Sequence, residues 1–318
     1  MSAAGLSSRA IIGRFYHELE QRDPASWIEP IARLFISDQE SEDYVFTDQA
    51  PSLREWICGR AAKSLYTSSI TIRNRHWEST LEIPVDWIRR DKTDQIQVRI
   101  RELARRAESH FGSLLSELIL SGETALCFDQ KPYYATDHPL SFSNGYVSGS
   151  QSNKKDFDVL TPTTPDADDF GDAVMHGIST LLNMKDETDD SEPYQPEAKK
   201  FLVMVPPSFL KTSSTALGAD LIDGSSSGVR SCANQLGFDI ALAINPRLRS
   251  WTTKFIVCRA DSGAMTSFIR QQETGIKVDA LADGSEHEFR DDTHLYGVSC
   301  HHAVGFGDYR QSCLITFV

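Results

Sequence analysis

The residues with the most chemical potential lie near the C-terminus: Cys300-His301-His302, with Asp291 and His294 just upstream. Thiolate, imidazole and carboxylate together form a metal-ligand set, and a bound cation can activate water for hydrolysis. The spacing argues against a shared site. Adjacent side chains on a strand point to opposite faces, so Cys300 and His301 would not converge on one ion. Asp137-His138-Pro139 offers half of an acid–base pair. It reads more simply as a turn with a hydrogen-bonded side chain. Gly263 and Gly305-Phe306-Gly307 make no phosphate cradle, because no GxxxxGK[ST] or GxGxxG sits between a strand and a helix. GxSxG is also absent, and with it the usual elbow for a serine nucleophile. The acidic run 186–192 lacks the ligand order of an EF-hand loop and reads as solvated. Arg99, Arg101, Arg105 and Arg106 could meet phosphate or pair with Glu102 and Glu108 on a solvated face. Both readings stay open. No catalytic residue, metal-ligand set or cofactor is expected.

The elements that would carry these residues follow from periodicity. Ile11, Ile12, Phe15, Tyr16 and Leu19 mark one helical face over 7–22, ended by Asp23-Pro24. A second short helix is expected around Trp27 to Phe35, and 37–49 reads as an extended acidic connector. These first fifty residues have too little apolar surface for a core of their own and read as an arm. Period two on both sides of Asn74-Arg75 reads as a β-hairpin over 66–83. The strongest helix spans about 94–121, with Ile96, Ile100, Leu103, Ala107, Phe111, Leu114 and Leu118 in one stripe. Thr93 is its expected N-cap and Gly122 its stop. Residues 141–155 are a Ser/Gly/Asn-rich loop. Asp166 to Leu182 reads as a helix with an acidic first turn, Phe201 to Val205 as a buried strand, and Pro206-Pro207 as the start of another helix. From Phe238 onward the chain reads as strands, clearest at 255–258, 267–271, 294–300 and 311–317. The pattern is α+β.

Composition narrows the function classes. The 318 residues include 32 Lys and Arg against 45 Asp and Glu, a net charge of −13. So acidic a chain is a poor general coat for nucleic acid, which needs basic surface. Ordinary apolar content, 40%, argues against wholesale disorder. The longest apolar run, Phe201 to Val205, is far short of the ~20 residues that span a bilayer, so no membrane segment is expected. No secretory leader is expected either. The six cysteines form no CxxC and read as reduced thiols of a cytosolic protein.

Two longer stretches carry more specific information. The first runs through Ala50-Pro51-Ser52-Leu53-Arg54-Glu55-Trp56, Gly59-Arg60, Ile72-Arg73-Asn74-Arg75-His76-Trp77-Glu78 and Tyr134-Ala135-Thr136-Asp137-His138-Pro139. The second is His294-Leu295-Tyr296-Gly297-Val298 followed by Val304-Gly305-Phe306-Gly307. In order and spacing they resemble the major head protein of Mu-like phages and prophages, the gpT family, over about 45–140 and 255–310.

The resemblance implies the HK97-like phage capsid fold: an N-terminal arm, an extended hairpin (E-loop), a peripheral domain on a long spine helix, and an axial domain. On that basis the arm is 1–49 and the hairpin 66–90. The peripheral domain is 50–65, 91–150 and 255–304, with the spine helix at 94–121. The axial domain is 151–254 with 305–318. The implied function is a shell subunit, not an enzyme, that assembles as hexamers and pentamers around tailed-phage DNA. The implied place is the virion capsid, assembled in the bacterial cytoplasm. Portal, scaffold and decoration proteins are the implied partners, and packaged double-stranded DNA is held without sequence-specific binding. Trp77, Leu81 and Ile83 are expected as inter-subunit anchors on the hairpin. Arg99, Arg101, Arg105 and Arg106 are expected to face a neighbouring subunit or the lumen. Some relatives crosslink Lys to Asn, and Lys63 and Lys92 flank the hairpin, but spacing identifies no such bond. Three other readings compete. One is an encapsulin-like or gene-transfer-agent shell. Another is a metal-dependent hydrolase using Asp291, His294, His301 and His302. The third is a nucleic-acid-binding protein working through the helix arginines, against which the overall acidity argues.

Overall fold

The computed structural model describes residues 8–20, 26–47, 67–90, 95–140, 149–185, 193–218, 236–262 and 265–318. The expectations for Ala50 to Arg60, for the acidic loop 186–192, and for Lys63, Lys92 and the Thr93 cap lie outside the described residues. Helix α1 (Ser8–Glu20) and a single turn α2 (Ile28–Ile31) precede strands β1 (Ala32–Ile36), β2 (Ser41–Thr47), β3 (Thr67–Arg73) and β4 (Arg75–Pro84). Helices α3 (Val85–Arg90), α4 (Gln95–Glu108) and α5 (His110–Ser121) follow. Short strands β5 (His138–Pro139), β6 (Ser150–Gln151) and β7 (Lys154–Phe157) lead to α6 (Ala167–Leu182), β8 (Lys200–Val205), α7 (Leu210–Gly218) and β9 (Asp239–Ile244). The chain ends with β10 (Lys254–Arg259), β11 (Phe268–Leu281), α8 (Glu286–Asp291), β12 (Thr293–Phe306) and β13 (Ser312–Phe317).

Continuous apolar strands such as Phe201 to Val205 must be covered on both faces. They are, in a five-stranded sheet of order β7-β13-β10-β8-β9. On one face Phe201, Val203, Phe255, Val257 and Phe317 pack against Phe170, Val174 and Ile178 of α6. On the other, Leu202, Met204, Ile256 and Leu314 meet Leu115 and Ile119 of α5, with Tyr133, Tyr134 and Trp251. Helix α6 begins as expected, with the Asp166 carboxylate accepting from the Asp169 N–H at 2.8 Å. Gly177 lets α6 lie close to the sheet: a Cβ there would sit 2.9 Å from Val257 Cγ2.

The second sheet has the order β1-β11-β12-β4. Its centre is the long β11–β12 hairpin, paired from Phe268↔Phe306 out to Leu281↔Leu295. Along β12 the buried residues His294, Tyr296, Val298, Cys300 and His302 alternate with partly exposed ones. A cluster of Tyr296 and Val298 with Ile11 and Phe15 of α1 and Ile96, Ile100 and Ala104 of α4 covers that face.

Several expectations need correction. Strands β3 and β4 exist but do not pair with each other. β3 pairs antiparallel with β2, Ser41↔Arg73 to Thr47↔Thr67, and β4 pairs with β12. The segment 37–49, expected as a connector, therefore supplies a strand, and 85–90 is helix α3. Asn74 is the physical reason. Its amide donates to Ser37 Oγ and the Gln39 carbonyl, tying the β3–β4 junction to the β1–β2 turn. The arm is not without a core. Trp27, Ile28, Ile31, Tyr44 and Phe46 are buried in the cluster shared with both sheets, because they complete a core that other elements begin. The expected helix at 27–35 is one turn followed by strand β1. Strand β10 sits at the centre of the five-stranded sheet, so 254–259 groups with 200–244 and not with the β11–β12 hairpin.

The expected 94–121 helix is interrupted at Ser109, whose ψ is 0°. Hydrogen bonds Ser109 N→Arg105 O and Ser113 N→Ser109 O continue through the distortion. Beyond it the buried face moves on by one residue, from Phe111, Leu114 and Leu118 to Gly112, Leu115 and Ile119, as α5 enters the core between the sheets. Gly122 does end α5, but with right-handed dihedrals. The glycine is required instead by Tyr134, whose ring would lie 2.6 Å from a Cβ.

Candidate assembly surface

Strand β4 is an edge of the four-stranded sheet, and its inner side carries the three expected anchors. Ile83 is only 4% exposed and packs among Ile11, Phe15 and Ile96, so it has no surface to give to a neighbour. That expectation is corrected: Ile83 belongs to the subunit's own core. Leu81 is half-buried against the same cluster. Trp77 is half-buried too. Its indole N–H donates to the His302 carbonyl at 3.0 Å, and its ring stands edge-on to His110 at 4.6 Å.

The helix arginines divide into two kinds. Glu102 is bracketed by Arg99 at 2.8 Å and Arg106 at 2.9 Å, which hold its carboxyl below the usual range. Arg101, half-buried, and Arg105, exposed, make no ion pair with a described residue. They are the two cations of the group left available for another partner.

The expected chemistry does not assemble. Along β12, His302 lies eight positions beyond His294, about 26 Å at strand rise. His301 lies on the opposite face and stacks on His76 at 4.3 Å. Asp291 pairs with His287 Nδ1 at 3.0 Å. His302 Nε2 lies 2.7 Å from His110 Nδ1, and burial pushes both imidazoles to lower pKa, His302 to about 4. One nitrogen donates and the other accepts, so the pair is neutral and structural. His138 is fully buried, paired with the buried Asp129, hydrogen-bonded to Asn153 and stacked on Tyr309 at 3.7 Å. Asn153 donates to the Tyr133 and Tyr309 carbonyls. This knot ties the 125–140 loop to the five-stranded sheet and has no access for a substrate. Cys127, Cys258, Cys300 and Cys313 are free, buried thiols, and burial raises the pKa of each.

Several large apolar side chains are exposed at the edges of the sheets. Ile36 (74% exposed) and Leu34 project from the edge strand β1, and Val45 from the outer side of β2. Trp87 of α3 is 66% exposed. At the far end of the β11–β12 hairpin, Phe289 is 93% exposed and Leu281 is also exposed. Periodicity did not find these residues, since an outward apolar residue on a strand looks like noise. Phe289 had one signal, a lone aromatic within Glu286-His287-Glu288-Phe289-Arg290-Asp291. The β2–β3 ribbon leaves a cleft of about 920 Å³ bordered by Ile72, Trp77, Leu118 and Phe306. Its base is fixed by the Tyr44 hydroxyl donating to Gln271 Oε1 at 2.9 Å and by Phe46 stacked on Phe128 at 4.1 Å. Gly305 permits the crossing: a Cβ there would meet Ile72 Cδ1 at 2.2 Å. Gly307 is required by the Thr266 carbonyl, 2.1 Å from a Cβ. Gly305 and Gly307 of the second resembling stretch are thus packing positions.

Comparison with known proteins agrees with this architecture. Residues 9–162 match the family described as Mu-like prophage major head subunit gpT. The match begins earlier than the resembling stretches and does not include 255–310. The chain is 28% identical to the Mu-like prophage FluMu major head subunit of Haemophilus influenzae over 145 residues, 45% of this chain and 47% of that protein. It is 26% identical to the major capsid protein of Escherichia phage Mu over 131 residues, 41% and 43% of the two chains. The matched stretch thus spans about half the length of these relatives. In three dimensions it resembles the procapsid subunit of bacteriophage JBD30 (TM-score 0.55, 17% identity, 97% of this chain and 74% of that one). It also resembles the capsid of cyanophage P-SCSP1u (0.57, 11%, 93% and 89%) and the virus-like particle of Pyrococcus furiosus (0.53, 10%, 97% and 98%). At these identities the likeness establishes the fold. Over just under half of its length the chain matches the Mu-like major head subunit gpT family, and over more than nine-tenths it has the α+β, HK97-like fold of phage capsid proteins.

Proposed function

We propose that this chain is a major head subunit that assembles as hexamers and pentamers into an icosahedral shell around the DNA of a tailed phage. The observation that carries the reading is a capsid fold whose described surface lacks an assembled catalytic group but leaves large apolar side chains uncovered at its edges. Such side chains are usual where another protein packs. In this reading the β2–β3 ribbon is the described part of the extended loop. The α4–α5 helix is the spine, the four-stranded sheet with α1 is the peripheral domain, and the five-stranded sheet with α6 and α7 is the axial domain. Rings of identical chains use heterologous contacts that must tolerate different angles, and several modest contacts per subunit add through multivalency.

Half-buried Trp77 and Leu81, with Arg101 and Arg105, remain proposed contact residues, whereas Arg99 and Arg106 are engaged by Glu102. The protein works without catalysis, in the virion, after assembly in the host cytoplasm. Portal, scaffold and decoration proteins complete the head. The net charge of −13 suits a wall that holds DNA without binding it sequence-specifically or tightly.

Likeness to the Pyrococcus furiosus particle favours one alternative, an encapsulin-like shell. The gpT match favours the phage head, and neighbouring genes for portal and terminase would decide between them. The test of shell formation is expression of the chain alone, size-exclusion chromatography and negative-stain electron microscopy of the leading peak. Shells, tubes or capsomer rings are expected. A monomer at every concentration reached would count against the proposal.

A further inference from the structure

The tip of the β11–β12 hairpin holds a group of side chains that shell assembly does not explain. Asp283 precedes α8, Glu288 lies on it, and His294 opens β12 on the buried face. Their ligating atoms all lie within 4.8 Å of one another. His294 Nε2 is 3.3 Å from Glu288 Oε1 and 3.7 Å from Asp283 Oδ1. Ligands bound tetrahedrally at Zn²⁺ distances stand about 3.4 Å apart. Clusters of acids are common without an ion, so the imidazole is the decisive observation. His294 is 3% exposed, and its Nε2 is buried, aimed at both carboxylates, and makes no hydrogen bond. A buried polar nitrogen left in that state is costly unless something occupies the space in front of it.

The neighbouring His287 shows the contrast. Its Nδ1 pairs with Asp291 at 3.0 Å and its Nε2 meets Thr293 Oγ1 at 2.9 Å, so both nitrogens are used. In His294 only Nδ1 has a hydrogen-bond partner, the Tyr296 hydroxyl at 3.4 Å, while Nε2 has just the two carboxylates within ion-pair distance. A hydrogen bond on the second ring nitrogen is the usual support of a metal-bound imidazole. Glu288 is oriented too, by the Gly284 N–H donating to Oε2 at 2.6 Å. We propose that Asp283, Glu288 and His294 form a binding site for a divalent cation of the Zn²⁺ class, clamping α8 and the adjoining turn onto β12. One imidazole and two carboxylates carry two negative charges, matching the ion, and three protein ligands leave a position for water. The sequence concealed the set because the hairpin turn separates Asp283 and Glu288 from His294.

The test uses the full-length chain stripped with a chelator and titrated with Zn²⁺ by calorimetry, beside Asp283→Asn/Glu288→Gln. The wild type should bind one equivalent, with affinity lowered at least about tenfold in the variant and at least about tenfold weaker for Ca²⁺, which prefers oxygen ligands. If the double variant loses its circular dichroism, Asp283→Asn alone decides the matter, since that side chain is 67% exposed. Failure of the wild type to bind one equivalent, unchanged affinity in the variant, or equal affinity for Ca²⁺ would overturn the proposal.

Discussion

Strands β10 and β2 are of similar length but opposite kinds. In β10, Phe255, Ile256, Val257 and Cys258 are all fully buried, two facing α6 and two facing the α5 side. In β2 only Tyr44 and Phe46 are buried, while Val45 points outward and is half exposed. The first strand is complete within one subunit. The second is secured on one face and unfinished on the other. The hairpin tip repeats the second pattern, with Tyr296 inside and Phe289 outside. In the proposed reading the difference separates two tasks: a core covered on both sides holds the subunit, and half-covered edges offer surface to other copies.

That division can be broken most forcefully at β10. Phe255→Ala removes a fully buried ring between β10 and α6. It should cost about 3–5 kcal/mol, read from the shift of the urea midpoint. The His110–His302 pair sharpens the comparison through pH. The folded pKa of His302, about 4, lies below its usual 6.5, so the unfolded chain takes up the proton first. Stability is then full above about pH 6.5, falls with pH, and has lost up to about 3 kcal/mol near pH 4. Urea midpoints from pH 7 to 4.5 should show that slope, and His302→Asn should flatten it. A smaller effect is expected from Gly177→Ala, whose new methyl would press on Val257. It should cost about 1–3 kcal/mol, and part should return in Gly177→Ala/Val257→Ala, because contacting residues couple. Smallest for the folded subunit is Ile36→Lys/Phe289→Ser. Both side chains are largely exposed, so the urea midpoint should stay within about 0.5 kcal/mol of wild type while assembly fails.

What could be read from the sequence was local. Asp166 and its acidic followers mark the start of α6, and the run Phe201 to Val205 can only be a strand covered on both sides. The spine helix was legible as far as Ser109, where a backbone distortion changes the buried face without changing the periodicity of residue types. Strand pairing was not legible. Asn74 looks like a hairpin turn, and only its bonds to Ser37 and Gln39, thirty-five or more positions away, reveal that β3 turns back to β2. The same limit applies to the site. Trp77, Leu81 and Ile83 satisfy an amphipathic pattern, but the pattern does not say whether the covering surface belongs to the same chain. For Ile83 it does, through α1 and α4. Exposed Ile36 breaks no pattern that sequence reasoning can detect, and Phe289 shows only as a lone aromatic in a charged run. The motif around Gly305 and Gly307 was legible as a resemblance, and its physical basis, the close passage of Ile72 and the Thr266 carbonyl, appears only once the sheet is built.

The most direct test of the proposed division is sedimentation velocity of the wild type beside Ile36→Lys/Phe289→Ser, with urea midpoints measured on the same preparations. The account predicts large assemblies or rings for the wild type, a folded monomer for the variant, and matching midpoints. A variant that assembles like the wild type, or a wild type that sediments as a monomer at every concentration reached, would contradict it.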